Sequence, residues 1–134
     1  MNPGEKSGFL DARLLTVLAE LGHTETLVIA DAGLPIPSVV ERIDLALVPS
    51  VPGFVETLRA VLGELAIESA VVAEEMATRS PDLYAQTVQL LDGRQVRAIP
   101  HEELKRLTAS ARAVVRTGET TPFANVVLVA GVTF

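Results

Sequence analysis

The run TLVIA, Thr26 to Ala30, is apolar on both alternations of a strand. Successive side chains of a strand point to opposite faces, so both faces of this one need cover. Such a strand belongs inside a sheet with helices on its two sides. SAVVA (Ser69 to Ala73), QVRAI (Gln95 to Ile99), AVVRT (Ala113 to Thr117) and NVVLVA (Asn125 to Ala130) read as further strands. RIDLALVPS (Arg42 to Ser50) has room for another short one.

Helical segments fall between these runs. Asp11 is a good N-cap, and Leu14, Leu15, Leu18 and Leu21 follow at helical spacing. Gly22 is the expected stop, in the left-handed geometry that glycine accepts. Ser50 is expected to cap a second helix with Pro52 in its first turn, and Phe54, Leu58, Val61, Leu62 and Leu65 mark its buried face. Ser80 followed by Pro81 opens a helix that runs to Leu91. HEELKRLT starts another at Pro100 or His101.

Helices and apolar strands thus alternate for most of the chain, and no repeat or linker divides it. The pattern predicts a single α/β domain over residues 1–134. Its architecture is a three-layer αβα, Rossmann-like arrangement around a largely parallel sheet. AVVRT and NVVLVA are close in sequence, which makes one of them a candidate to run antiparallel. The final GVTF is apolar and is expected to dock, in this subunit or a neighbour.

Composition narrows the function. The formal net charge is −6, so the chain lacks the basic excess that a nucleic-acid partner needs. The same acidity disfavours anionic membranes. The longest apolar run, VVLVAGV, is far too short to span a bilayer, and MNPGEKSGFL lacks the apolar core of a signal peptide. With no cysteine there is no disulfide framework, thiolate metal site or cysteine nucleophile; a reducing cytosol fits.

Sites in open α/β sheets form beyond the carboxyl ends of the strands. Asp31 directly follows TLVIA, His101 follows QVRAI after one proline, and GETTPFAN follows AVVRT and ends at Asn125. Parallel strands would bring these to one edge. His23 lies on the turn before TLVIA, near its opposite end. It reaches the others only if the turn folds back or a second subunit supplies it.

Each residue also has a plainly structural reading. His23 could follow a helix C-terminus, where imidazolium is favoured. Asp31 could cap the amides of its own loop. His101 could be an exposed first-turn residue, and Asn125 a loop-closing hydrogen-bonder. Glu74 and Glu75 read as a solvated loop end. HEELK lacks the second histidine of a zinc helix, RTGE has one glycine, and no Gly-rich phosphate loop occurs.

The segments LGHTETLVIADAGLPIP, RIDLAL, AEE, HEELK and AVVRTGETTPFANVVLVAGV, taken together from about Phe9 to Phe134, resemble the D-ribose pyranase family, relatives of the fucose mutarotases. The resemblance implies a cofactor-independent isomerase that interconverts β-pyranose and β-furanose D-ribose. It further implies a cytoplasmic homo-oligomer, often a decamer of stacked rings, with sites at subunit boundaries. His23 matches the catalytic proton donor. Asp31, His101, Phe123, Ala124 and Asn125 match substrate-binding positions, and no metal is implied. Lys105, one helical turn past His101, could face the same way. The family usually has tyrosine where this chain has Phe123, which bears on sugar preference. A mutarotase for another aldose such as L-fucose, a non-catalytic sugar-binding protein and a structural ring subunit are the other readings.

Overall fold

The computed structural model describes residues 11–132. Chain order is α1 (Ala12–Glu20), β1 (Thr26–Ala30), β2 (Glu41–Asp44), α2 (Phe54–Leu62), β3 (Ile67–Ala73), α3 (Glu74–Arg79), α4 (Pro81–Leu91), β4 (Gln95–Ile99), α5 (His101–Leu107), a 3₁₀ turn (Thr108–Ser110), β5 (Ala113–Arg116) and β6 (Val126–Ala130). The strands form one six-stranded sheet in the order β2-β5-β1-β6-β3-β4.

Strands β2, β5 and β1 pair in parallel, as do β3 and β4. β6 lies between the two groups and runs antiparallel to both β1 and β3. Five strands therefore point one way, and the largely parallel sheet expected from the sequence is present. The reversal falls on the second of the two closely spaced strands. It lets β6 begin at the edge where β1, β3, β4 and β5 end.

TLVIA is covered on both faces, as its composition required. Leu27 and Ile29 pack under α1, α2 and α4, against Leu14, Val17, Phe54, Leu58, Val61, Leu83 and Leu91. Val28 and Ala30 face the other way, against Leu34, Val40 and the α5 residue Leu104. With Met76 of α3 in the same cluster, the first face carries four helices, α1 to α4, and the other carries α5 and the loop after β1. Leu27, Val28, Ile29, Phe54, Leu58 and Leu104 are all fully buried. Each such side chain is worth about 1.5–3 kcal/mol relative to exposure.

The helix signals hold in part. Asp11 caps α1, its carboxylate accepting from the Leu14 N–H at 2.8 Å. Gly22 does not take the left-handed geometry; Thr24 does, with φ 74°. Its N–H donates to the Ala130 carbonyl at 2.9 Å, which holds the turn against the end of β6.

Ser50 does not cap α2. It too is left-handed (φ 73°), and its N–H donates to Gly118 O at 2.6 Å, so the turn closes on β5's loop before the helix begins. The cap is Gly53, and Pro52 precedes it. Glu74 and Glu75 are not a loop end but the first turn of α3, where acidic side chains meet the positive end of the helix. Pro81 opens α4 as expected, while the Ser80 hydroxyl donates elsewhere, to the Pro122 carbonyl at 2.9 Å. Of the final GVTF, Thr133 and Phe134 lie outside the described residues.

Candidate active site

A cleft of about 500 Å³ opens at the edge where the parallel strands end. Asp31, Gly33 and Leu34 line it from the loop after β1, His101 and Lys105 from α5, and Phe123 from the loop between β5 and β6. Topology alone brings these together, because each follows or precedes a strand end on that edge.

Asp31 is held from several directions. Its Oδ1 accepts from the Gly33 N–H at 3.0 Å. Its Oδ2 accepts from Asn125 Nδ2 at 3.2 Å, while its own N–H donates to Asn125 Oδ1 at 2.9 Å. Burial pushes its pKa up, and the bonds from Gly33, Asn125 and Leu34 and the nearby His101 only partly offset that. A partly buried carboxylate with a fixed direction is a strong acceptor for sugar hydroxyls.

His101 is the first residue of α5. Its N–H donates to Glu75 Oε1 at 3.0 Å, so the first turn of α3 anchors the first turn of α5. Its Nδ1 is buried and has no hydrogen-bond partner among the described residues. The ring meets Phe123 edge to face, centroids 5.0 Å apart at 86°. Phe123 has φ 64°, in the left-handed region that an aromatic residue seldom occupies. Such a conformation costs about 1–3 kcal/mol and persists where surrounding bonds impose it. Here the Asn125 N–H donates to the Phe123 carbonyl at 2.9 Å, and Ser80 holds the preceding Pro122 carbonyl. Together they turn the ring onto the cleft. Ala124 and Asn125 are fully buried beneath it.

Glu119 is the fastener that the sequence did not single out. Its Oε1 accepts from the Phe54 N–H at 2.8 Å, at the start of α2. Its Oε2 accepts from the Thr121 hydroxyl at 2.7 Å. Its backbone carbonyl accepts from the Ala32 N–H at 2.8 Å, beside Asp31. Burial raises its pKa, but the bonds from Phe54 and Thr121 outweigh that and leave it below the ordinary glutamate value. Only Thr121, two residues on, is a local signal for this role; Phe54 is 65 residues away. Lys105 lines the cleft as its spacing suggested and pairs with Glu102 at 2.8 Å. Among the described residues, no three His, Asp or Glu side chains converge to hold a metal ion.

His23 is not in this cleft. It projects from the turn at the opposite edge of the sheet, half-exposed, with Nε2 2.8 Å from Glu68 Oε2. The five residues of β1, at about 3.3 Å each, separate its turn from Asp31. The structure therefore brings Asp31, His101 and Phe123 together over Ala124 and Asn125, and leaves His23 apart.

Residues 4–133 match the model of the RbsD / FucU transport protein family. The chain belongs to that family. A D-ribose pyranase of Laribacter hongkongensis is 51% identical over 130 residues, covering 97% of this chain and 99% of its own length. One from Geobacillus kaustophilus is 52% identical, covering 97% and 96%. The structure of Bacillus subtilis RbsD complexed with D-ribose superposes with a TM-score of 0.92 at 43% identity, over 94% of this chain and 96% of that one. The fucose mutarotase of Streptococcus pneumoniae, in complex with L-fucose, gives a TM-score of 0.81 at 25% identity over 96% of each chain. The family membership implied by LGHTETLVIADAGLPIP and its companion segments is thus established.

Proposed function

We propose that this chain is a cofactor-independent isomerase that interconverts the β-pyranose and β-furanose forms of D-ribose. The observation that carries the reading is the cleft itself. A fixed carboxylate, an imidazole with a buried unpartnered nitrogen and an aromatic ring converge in a fold closely superposable on a ribose-bound RbsD.

Ring exchange passes through the open-chain aldehyde. Opening removes the anomeric hydroxyl proton and gives one to the ring oxygen as its bond to C1 breaks. Closing through the other hydroxyl reverses these transfers. One C–O bond at C1 is exchanged for another and protons are transferred with no change of oxidation state, so acid and base groups suffice. Histidine suits the task because it titrates near neutrality, and such help is worth roughly 10²–10⁴-fold.

Asp31 and His101 bind sugar hydroxyls, Phe123 covers an apolar face of the ring, and the buried Ala124–Asn125 segment forms the support beneath. His23 is the proton donor, delivered by a neighbouring copy, since its own chain holds it at the far edge. The assembly we propose is a decamer in the cytoplasm; the exposed apolar side chains Val39, Leu47, Val48 and Val51 support contact between copies, and no more than that. Among the described residues no helix is long and apolar enough to cross a membrane.

Saturation-transfer NMR on a panel of aldoses tests the reaction: D-ribose pyranose–furanose exchange should accelerate most. Faster anomer exchange of L-fucose with ribose unaffected would point to a mutarotase instead. Mixed assemblies test the shared site. His23→Ala and Asp31→Ala chains, each impaired alone, should recover about a quarter of the wild-type rate when randomly co-assembled, because one site in four then draws its His23 and its cleft from intact sources. No recovery would refute donation between copies.

A further inference from the structure

We infer that Glu68 is the positioning residue for His23, and that it commits His23 to work through Nδ1; the inference rests on the catalytic role given to His23 above. Glu68 Oε2 lies 2.8 Å from His23 Nε2. A carboxylate only accepts, so Nε2 carries the hydrogen. Nδ1 is then the nitrogen left for the sugar.

Two local departures from regular backbone create this pair. The register between β3 and β6 shifts at this point: Ile67 stands opposite Ala130 and Ser69 opposite Val129, so Glu68 is the extra residue of a β-bulge. Bulges re-aim a side chain. The residue after His23, Thr24, is held left-handed at φ 74° by its bond to Ala130 O. The same end of β6 thus fixes both partners. Gly131 continues the contact, since a Cβ there would lie 3.4 Å from Glu68 Cβ and from its backbone N.

Stability does not account for this construction. The two side chains are 51% and 47% exposed, and exposed ion pairs contribute little. Glu25 and Arg94 are engaged elsewhere. Glu25 Oε1 accepts from the Gly22 N–H at 2.6 Å, and the Arg94 guanidinium donates to the Ile67 and Leu91 carbonyls. Among the described residues, the Glu68 carboxylate pairs with His23 alone.

In the ring-opening step the imidazolium gives its Nδ1 proton to the pyranose ring oxygen as that oxygen's bond to C1 breaks, and the anomeric hydroxyl proton passes to solvent water, giving the aldehyde and a neutral imidazole. On closure the other hydroxyl forms the bond to C1 and gives its proton to Nδ1, while the carbonyl oxygen takes one from water, which restores the imidazolium. Glu68 stabilises the imidazolium and holds its plane throughout, as the carboxylate behind a catalytic histidine does.

The test is Glu68→Gln, which keeps size and removes charge, assayed by ribose exchange NMR with thermal melts alongside. The expected result is a fall in kcat on the order of tenfold or more, with KM and Tm within error of wild type. A kcat within twofold of wild type overturns the inference, and so does a loss of rate accompanied by a raised KM or a lowered Tm. His23→Ala separates the readings. If it keeps the wild-type rate, the catalytic role of His23 fails and this inference with it. If it loses the rate while Glu68→Gln does not, only the role of Glu68 fails.

Discussion

Asp31 and Asn125, 94 residues apart in the chain, are joined by two hydrogen bonds, from the Asp31 N–H to Asn125 Oδ1 at 2.9 Å and from Asn125 Nδ2 to Asp31 Oδ2 at 3.2 Å. Asn125 is fully buried, so no water replaces it readily. Asn125→Ala leaves the Asp31 N–H unpaired and its carboxylate held only by the loop amides of Gly33 and Leu34. The expected cost is about 1–3 kcal/mol in urea unfolding, with a loss of ribose exchange. Asn125→Asp should be worse near neutrality than in acid, because two facing carboxylates cannot both ionise there.

Phe123→Tyr is expected to improve the enzyme on ribose. The ring already sits edge-on to His101 in the cleft, and a hydroxyl would add one bond to a sugar oxygen. One hydrogen bond of about 0.5–1.5 kcal/mol corresponds to roughly a two- to tenfold gain in kcat/KM. An unchanged kcat/KM would show that the ring contributes only apolar cover.

Gly118→Ala should destabilise the loop before α2. A Cβ at Gly118 would lie 2.6 Å from both the Val48 and Val51 carbonyl oxygens and 2.8 Å from the Val51 nitrogen. These are backbone atoms and cannot rotate away. The expected loss is about 1–3 kcal/mol. Gly93→Ala is the contrast: the space is open, and only its φ of +80° resists, at about 1 kcal/mol. Denaturation midpoints of the two variants give the comparison.

Glu119→Gln should show a pH-dependent defect. The folded pKa of Glu119 lies below its ordinary value of 4.5, so its ionised form is the one that stabilises the fold. That contribution is present above pH 4.5 and is lost as pH falls through the folded value. The variant should trail wild type by about 0.5–1.5 kcal/mol at pH 7 and converge with it in acid. A gap that is constant with pH would mean that the carboxylate charge is not what holds Thr121 and Phe54.

Local chemistry made much of this fold legible. TLVIA announced a strand buried on both faces, Asp11 a cap, and Pro81 a helix start, because each signal acts over a few residues. Asp31 and His101 could be placed on one edge from strand direction alone. The misreadings share a cause. Ser50 and Gly22 carry good local signals, but the chain at both places answers to distant carbonyls, those of Gly118 and of Ala130 through Thr24. Glu75 reads as part of a solvated loop end and Glu119 carries no reading of its own, yet their carboxylates fasten backbone N–H groups 26 and 65 residues away. Nothing in short-range spacing encodes such partners. The separation of His23 from the cleft, by contrast, was already implied by the strand between His23 and Asp31.

Among the described residues β6 is the last strand in order, and it is the one that joins β2-β5-β1 to β3-β4. During synthesis both blocks leave the ribosome before the strand that unites them. Until then β1 and β3 each present an unpaired edge, open to pairing with the wrong neighbour. Residues 126–130 close both edges at once and seat the loop that carries Phe123 and Asn125 in the same motion. A chain cut short ahead of them would lack both the strand that joins its sheet and the anchor that seats its cleft.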